Sequence, residues 1–348
     1  MKRLVSLKKI ISLILSLIVI LCVGCSNNVN NSYSNESNNV KITDQANRTV
    51  LLPENVNRVI SCYYTVTSTL IALGQKDKLV GIEMNADKRE IYKRAAPEIL
   101  NLPAVGNSKT LNVETCASLN PDLVIIPDRL INMIDQLELA GLNVIVVSPE
   151  NDLKLLEMFE LLGNILGNNA SSNSKKLISY YNERLDFINS LNFENTPSVY
   201  ITGNSSYLTT ATSSMFQTHL ISLSGGKSVS IELNGEFWTN ITSEQVALWN
   251  PDFIFMPNGK SFSEDAVKSD TGFKTTSALE NDNIYEIPSS IESWDYPTPS
   301  VILGMLWATS KLHKDLVSSQ DVIDEAKYFY NTFYNINVAD EEVGYDSA

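Results

Sequence analysis

Short apolar runs, separated by polar stretches with helical spacing, set the rhythm of this chain. Residues 58–62, 79–82, 123–126 and 143–147, and then 198–202, 253–256 and Ile284–Ile287, have the length and character of buried strands. Strand alternating with helix implies open, mostly parallel sheets covered on both faces. Two longer patterns, at residues 152–166 and 174–191, read as helices. In the second, Leu177, Ile178, Tyr181, Leu185 and Ile188 recur at helical spacing, and the polar stretch 167–173 separates the pair. A single long helix crossing between two units would keep any cleft between them from opening wide.

One segment occurs twice. Residues 112–127 (NVETCASLNPDLVIIP) return 130 positions later as residues 242–257 (TSEQVALWNPDFIFMP), with six of sixteen positions identical. Asn112 or Thr242 can cap a short helix, and Glu114 or Glu244 suits its positive N-terminal end. Asn-Pro then stops the helix, because a residue before proline avoids the α region, and a buried strand follows. A period of 130 residues is too long for a stacked array and marks two similar lobes. The chain of 348 residues is also long enough for two cores. The expected fold is α/β: two pseudo-equivalent lobes with mostly parallel sheets joined by one long helix.

The first residues read as an address. Lys2, Arg3, Lys8 and Lys9 precede an apolar run at residues 10–23, too short to span a bilayer and suited to a secretory signal. The run ends LCVGC at Cys25, which resembles the lipobox of bacterial lipoproteins, with Cys22 standing where leucine is preferred. That resemblance implies cleavage after residue 24, acylation of Cys25 and attachment to the outer face of the cell membrane. The following Asn- and Ser-rich stretch is too polar to bury anything and should act as a tether.

Removing residues 1–24 takes away four positive charges and no negative one, which brings the formal net charge from −14 to −18. Such a charge excludes a nucleic-acid partner. Of the remaining cysteines, Cys62 and Cys116 either pair or stay as two buried thiols, and their spacing fits no metal site. The expected organisation is a signal at 1–24, a lipidated cysteine and tether at 25–39, lobes at 40–150 and 196–335, connecting and bridging helices at 151–195, and a frayed acidic tail at 336–348.

The arrangement resembles the periplasmic-type binding proteins that serve ABC importers of iron siderophores, haem and vitamin B12. The markers are residues 43–53 (TDQANRTVLLP), Arg58-Val-Ile, Leu73-Gly74, the two Asn-Pro-Asp segments, Trp294-Asp-Tyr-Pro-Thr-Pro299 and Leu303-Gly304. The resemblance implies a monomer that captures a metal chelate, carries no cofactor, and works with a permease dimer and its cytoplasmic ATPase. It also implies that Glu114 and Glu244 dock onto arginines of the permease. Equivalent carboxylates on two pseudo-symmetric lobes independently suit a two-fold symmetric partner. The competing explanation is that each glutamate only favours its helix N-terminus.

In open α/β sheets a ligand sits at loops after the carboxyl ends of the strands. This rule selects Tyr63, Tyr64 and Thr65, residues 84–88 with Lys88, Lys109, and Asp128 with Arg129 in the first lobe. In the second lobe it selects residues 204–207 with Tyr207, Phe237 and Trp238, Asn258 and Lys260, and Trp294 with Tyr296. The aromatics suit a large, partly planar ligand, and Lys88, Arg89, Lys109, Arg129 and Lys260 could offset an anionic chelate. Each has a plainer alternative in packing or solvation; Trp294 could equally cap the helix starting near Ser300.

Two other readings stay open. The same fold could bind a small oxyanion such as molybdate or tungstate, or a nickel complex, although a bare oxyanion wants convergent N–H donors and little aromatic area. A tethered hydrolase is the third. The chain has no G-x-S-x-G elbow, no P-loop and no G-x-G-x-x-G after a strand, and His219 and His313 are its only histidines. No enzymatic activity is therefore expected.

Overall fold

The computed structural model describes residues 39–343 apart from Glu236 and Ser289. The signal segment, Cys25, most of the tether and residues 344–348 lie outside the described residues. Strands β1 (Asn39–Thr43) and β2 (Thr49–Pro53) pair with each other. Buried Asp44 organises the turn between them, accepting from the backbone N–H of Ala46 and Arg48 and from the Arg48 guanidinium. The same carboxylate accepts from Val146 N–H, which fastens the pair to the first lobe.

That lobe contains β3 (Val59–Ser61), α1 (Tyr64–Ala72), β4 (Leu79–Glu83), α2 (Glu90–Ala95), β5 (Ala104–Asn107), β6 (Thr110–Leu111), α3 (Val113–Ser118), β7 (Leu123–Pro127), α4 (Ile134–Leu139) and β8 (Val144–Val147). Its sheet runs β6-β5-β4-β3-β7-β8 and is parallel except where β6 turns back on β5. Strand order reverses at β3 and β7, and such a switch point leaves a crevice at the carboxyl ends.

Helices α5 (Asp152–Leu166) and α6 (Asn168–Ser190) follow. The stretch at 167–173, which reads as punctuation, is helical from Asn168 onward. Gly167 and Asn168, at φ 65° and 43°, turn the chain, and the two helices then pack closely. Buried Ser174 donates to the Phe159 carbonyl at 2.7 Å, and a Cβ on Gly163 would stand 2.5 Å from Ser174 Cβ. Polar Ser174, the residue right after that stretch, is thus satisfied inside a helix pair.

The second lobe comprises β9 (Ser198–Ile201), β10 (Thr209–Thr210), α7 (Phe216–Leu223), β11 (Lys227–Ser228), β12 (Thr239–Asn240), α8 (Ser243–Trp249), β13 (Phe253–Pro257), α9 (Glu264–Ser269), α10 (Ser277–Glu280) and β14 (Ile284–Ile287). Its main sheet runs β11-β9-β13-β14 and is parallel throughout. Helices α11 (Val301–Leu312) and α12 (Ser319–Tyr334) complete the described helices.

One continuous apolar core joins a face of each sheet through α5, α6, α11 and α12, while the opposite sheet faces carry smaller cores of their own. Trp307 is buried at its centre, 4.9 Å from the Phe255 ring. Gly304 in α11 lets that helix approach the loop before it, since a Cβ there would lie 2.0 Å from the Trp294 carbonyl oxygen. The stretch after Tyr334, expected to fray, is packed as far as Val343. Ile336, Val338 and Val343 are buried, and Arg94 binds Glu342 and the Asn337 carbonyl. Cys62 and Cys116 are both buried and unpaired. Burial raises both thiols, that of Cys116 to about 11, so neither is a ready nucleophile.

The repeated segments adopt matching structures. Asn112 and Thr242 cap α3 and α8, accepting from Thr115 N–H and Gln245 N–H. Asn120 and Asn250 end the helices in the left-handed conformation, at φ 44° and 46°. The stop therefore rests on asparagine's tolerance of that region as much as on the proline after it. Asp122 then accepts from the N–H of Asn57 and Arg58, and Asp252 from the N–H and hydroxyl of Ser198. Each aspartate ties the start of one strand to the entry of its neighbour.

Candidate ligand cleft

A cavity of about 340 Å³ opens between the lobes at the carboxyl ends of the first sheet. Cys62, Tyr63 and Tyr64 enter it after β3, Glu83, Met84 and Asn85 at the end of β4, Asn107 and Ser108 at the end of β5, Arg129 after β7, and Glu150 after β8. The second lobe contributes Met215, Phe216 and Gln217 at the start of α7, together with Trp238, Tyr296 and Pro297. Parallel strands ending together explain why one lobe supplies so many lining groups from distant parts of the chain.

Two guanidiniums lie here in different settings. Arg89 stacks over the Tyr64 ring, 4.0 Å from its centroid, and has no ion pair among the described residues. Arg129 lies 3.6 Å from Glu150 and 4.4 Å from the Phe237 ring, so it reaches from the first lobe to the second. Around Tyr64 the rings of Tyr92 and Tyr296 stand edge-on or tilted, with centroids 5.9 and 6.2 Å away. Burial pushes the hydroxyls of Tyr63, Tyr64 and Tyr296 upward, so all three remain protonated donors.

The carboxylates beneath are masked. Glu83 accepts from Thr67 at 2.7 Å and Tyr92 at 2.5 Å, and burial raises its pKa against those hydrogen bonds. Glu150 is raised by burial too, with Arg129 opposing. The accessible charge of the cleft is thus weighted toward the two arginines, although the molecule as a whole is strongly acidic. Among the described residues no group of three or more His, Cys, Asp or Glu side chains could hold a bare metal ion.

Of the residues selected from sequence, Tyr63, Tyr64, Arg129, Trp238 and Tyr296 line the cavity, as does Arg89. Met84 and Asn85, from the selected stretch 84–88, line it as well, whereas several other selected residues stand elsewhere. Thr65 is buried within α1, and Lys88 and Lys109 are exposed outside the cavity. Tyr207 packs edge-on against Phe262 and Phe273, and Lys260 is paired with Glu286. Trp294 is buried, stands outside the cavity lining and donates to the Tyr330 hydroxyl at 2.9 Å, so its side chain does not cap α11. Sequence reasoning missed Glu83, Glu150, Asn107, Ser108, Met215, Phe216 and Gln217. Only Glu83 carried a signal, an acidic residue closing an otherwise apolar strand.

Glu114 and Glu244 occupy the same position in the first turn of α3 and α8, both exposed. No described helix is long and apolar enough to cross a membrane.

Residues 59–291 match the family model described as periplasmic binding protein. The chain is 27% identical to a periplasmic solute-binding protein from Veillonella parvula whose crystal structure aligns with a TM-score of 0.74, covering 88% of this chain and 96% of that one. It is 21% identical to the molybdate-binding protein MolA of Haemophilus influenzae over 319 residues, 84% of this chain and 90% of that protein. It is 24% identical to the uncharacterized ABC transporter substrate-binding lipoprotein YvrC of Bacillus subtilis, over 78% of this chain and 87% of that one. With its two α/β lobes, inter-lobe cleft and bridging helix, the chain belongs to the periplasmic binding protein family and is a substrate-binding protein of an ABC importer.

Proposed function

We propose that this protein captures a compact anionic metal chelate of the ferric siderophore type and delivers it to its permease from a lipid anchor on Cys25. The observation that carries the reading is Arg89, a cleft guanidinium stacked on Tyr64 and without an ion pair among the described residues. A stacked, unpaired guanidinium is ready for an anion and needs no ion pair broken first. The surrounding Tyr63, Tyr64, Trp238 and Tyr296 supply flat area, and Tyr63, Trp238 and Tyr296 add hydroxyl or indole donors, which suit the aromatic or amide arms of a chelator. A volume of about 340 Å³ favours such a ligand over the much larger corrinoids. MolA binds molybdate, and an oxyanion is the second reading, supported by the two cleft arginines and opposed by the aromatic lining.

Delivery is assigned to Glu114 and Glu244, which match in helix position and exposure. The protein works as a monomer against the two halves of the permease, and the chemistry of ATP hydrolysis belongs to a separate subunit.

Intrinsic tryptophan fluorescence of the body that follows Cys25 tests the ligand class, titrated with ferric catecholate and hydroxamate chelates, haem, cobalamin and molybdate. Saturable quenching by an anionic ferric chelate is expected, lost in signal by Trp238→Phe and weakened at least tenfold in affinity by Arg89→Ala. Thermal stabilisation by molybdate with no response to any chelate would replace this reading with the oxyanion one.

A further inference from the structure

Behind Tyr64, on the side away from the cavity, lies a carboxylate that the cleft description does not use. Glu292 follows β14 in the second lobe and is 2% exposed. The Tyr64 hydroxyl donates to its Oε1 at 2.9 Å, and Ser68, also in α1, donates to the same oxygen. Tyr334, at the end of α12, approaches Oε2 at 3.5 Å and bonds the Ser68 hydroxyl at 2.7 Å. No cation pairs with Glu292 among the described residues; its partners are hydroxyls.

A buried carboxyl without a counter-charge is costly, and apolar packing could join the same elements more cheaply. Its geometry offers a specific return. Tyr64 presents one ring face to Arg89 and its hydroxyl to Glu292, so the acceptor fixes the ring against rotation and sliding. Donation to an acidic acceptor also enriches the ring in electron density, which strengthens its hold on a guanidinium. We propose that Glu292 is a positioning residue for the cleft: through the Tyr64 hydroxyl it holds the ring that seats Arg89, across the boundary between the lobes.

Burial raises the Glu292 pKa while the surrounding hydroxyls oppose it. Charged or neutral, Oε1 remains an acceptor for Tyr64, because a proton on Oε2 can be donated to Tyr334. The arrangement is reinforced nearby by a backbone bond between the lobes, from Ile91 N–H to the Ile291 carbonyl at 3.0 Å.

This inference rests on the proposed role of Arg89 for its consequence in binding, and its test does not. Phenylglyoxal modification of Arg89, read by mass spectrometry as a rate relative to Arg129, reports seating without any ligand. Glu292→Leu and Tyr64→Phe should each raise the relative rate at Arg89 several-fold, and the double variant should add nothing further. Glu292→Gln, which keeps one acceptor oxygen, should restore most of the protection. Equal rates in wild type and Glu292→Leu, with Tyr64→Ala accelerating Arg89, would overturn the proposal. Additive effects of the two changes would do the same. Circular dichroism confirms that the variants compared are folded, and Tyr64→Phe with Glu292→Gln still decides the matter should Glu292→Leu fail to fold. If the rates behave as expected and no anion binds, the ligand reading fails and the positioning role stands.

Discussion

The two lobes agree where they carry the repeat and part company at the cleft. In α3 and α8 the cap, the exposed glutamate, the left-handed asparagine and the strand-tying aspartate correspond one for one. At the cleft both lobes offer aromatics, a thioether and amides, but the charged lining groups, two arginines and two masked carboxyls, all come from the first. If the repeat docks as proposed, it meets two like partners and must stay alike on both lobes. A cavity that meets one asymmetric ligand is free of that constraint, and each lobe has specialised.

The strongest way to break this comparison is to change both matched glutamates. Glu114→Lys with Glu244→Lys should abolish uptake in cells and leave chelate affinity in solution within twofold of wild type. Each single reversal should cause a similar partial loss, since the two positions are structurally equivalent. Lost affinity in solution would place these residues at the ligand and remove the docking assignment.

The strand-tying aspartates sharpen the comparison next. Asp252→Ala removes an acceptor from the partly buried N–H and hydroxyl of Ser198 and should cost about 2 to 3 kcal/mol. Asp122→Ala frees the more exposed N–H groups of Asn57 and Arg58, which water can satisfy, and should cost about 1 kcal/mol. Urea unfolding followed by circular dichroism measures both; equal losses would mean that the strand ties are energetically as symmetric as they are geometrically.

The smallest effect concerns the masked carboxyls. Because burial raises the Glu83 pKa, the folded protein keeps a proton that the unfolded chain has already released. Stability therefore falls as pH rises from the ordinary carboxylate range, about 4.3, through the raised value. Glu83→Gln should flatten part of that fall in melting temperature as pH rises above the ordinary carboxylate range. The remainder should persist, since Glu150, Glu292 and Asp295 are raised by burial as well. An unchanged slope in Glu83→Gln would show that Glu83 titrates normally in the fold.

How far the sequence reached follows the same division. The repeat was legible because cap, stop and strand are local, each decided within a few residues of the next. The bridging helix was legible from its apolar spacing from Ser174 onward, although its first turns, at 168–173, were hidden by a run of asparagines and serines. The cleft was legible only by region. Whether a tryptophan after a strand faces ligand depends on partners far along the chain: Trp294 is claimed by Tyr330, while nothing comparable withdraws Trp238 from the cavity. Glu292 lay beyond local reasoning altogether, since its partner Tyr64 is 228 residues distant.

The long helix α6 has one more consequence. Its 23 residues make a stiff rod of roughly 35 Å, and the core that it organises is shared by both halves of the molecule. Thermal agitation alone should seldom part those halves, so the protein in isolation acts as a depot whose residence time is set by contacts inside the cleft. Under the proposed docking through Glu114 and Glu244, unloading becomes a question of mechanical work, supplied by a partner that grips both lobes at once.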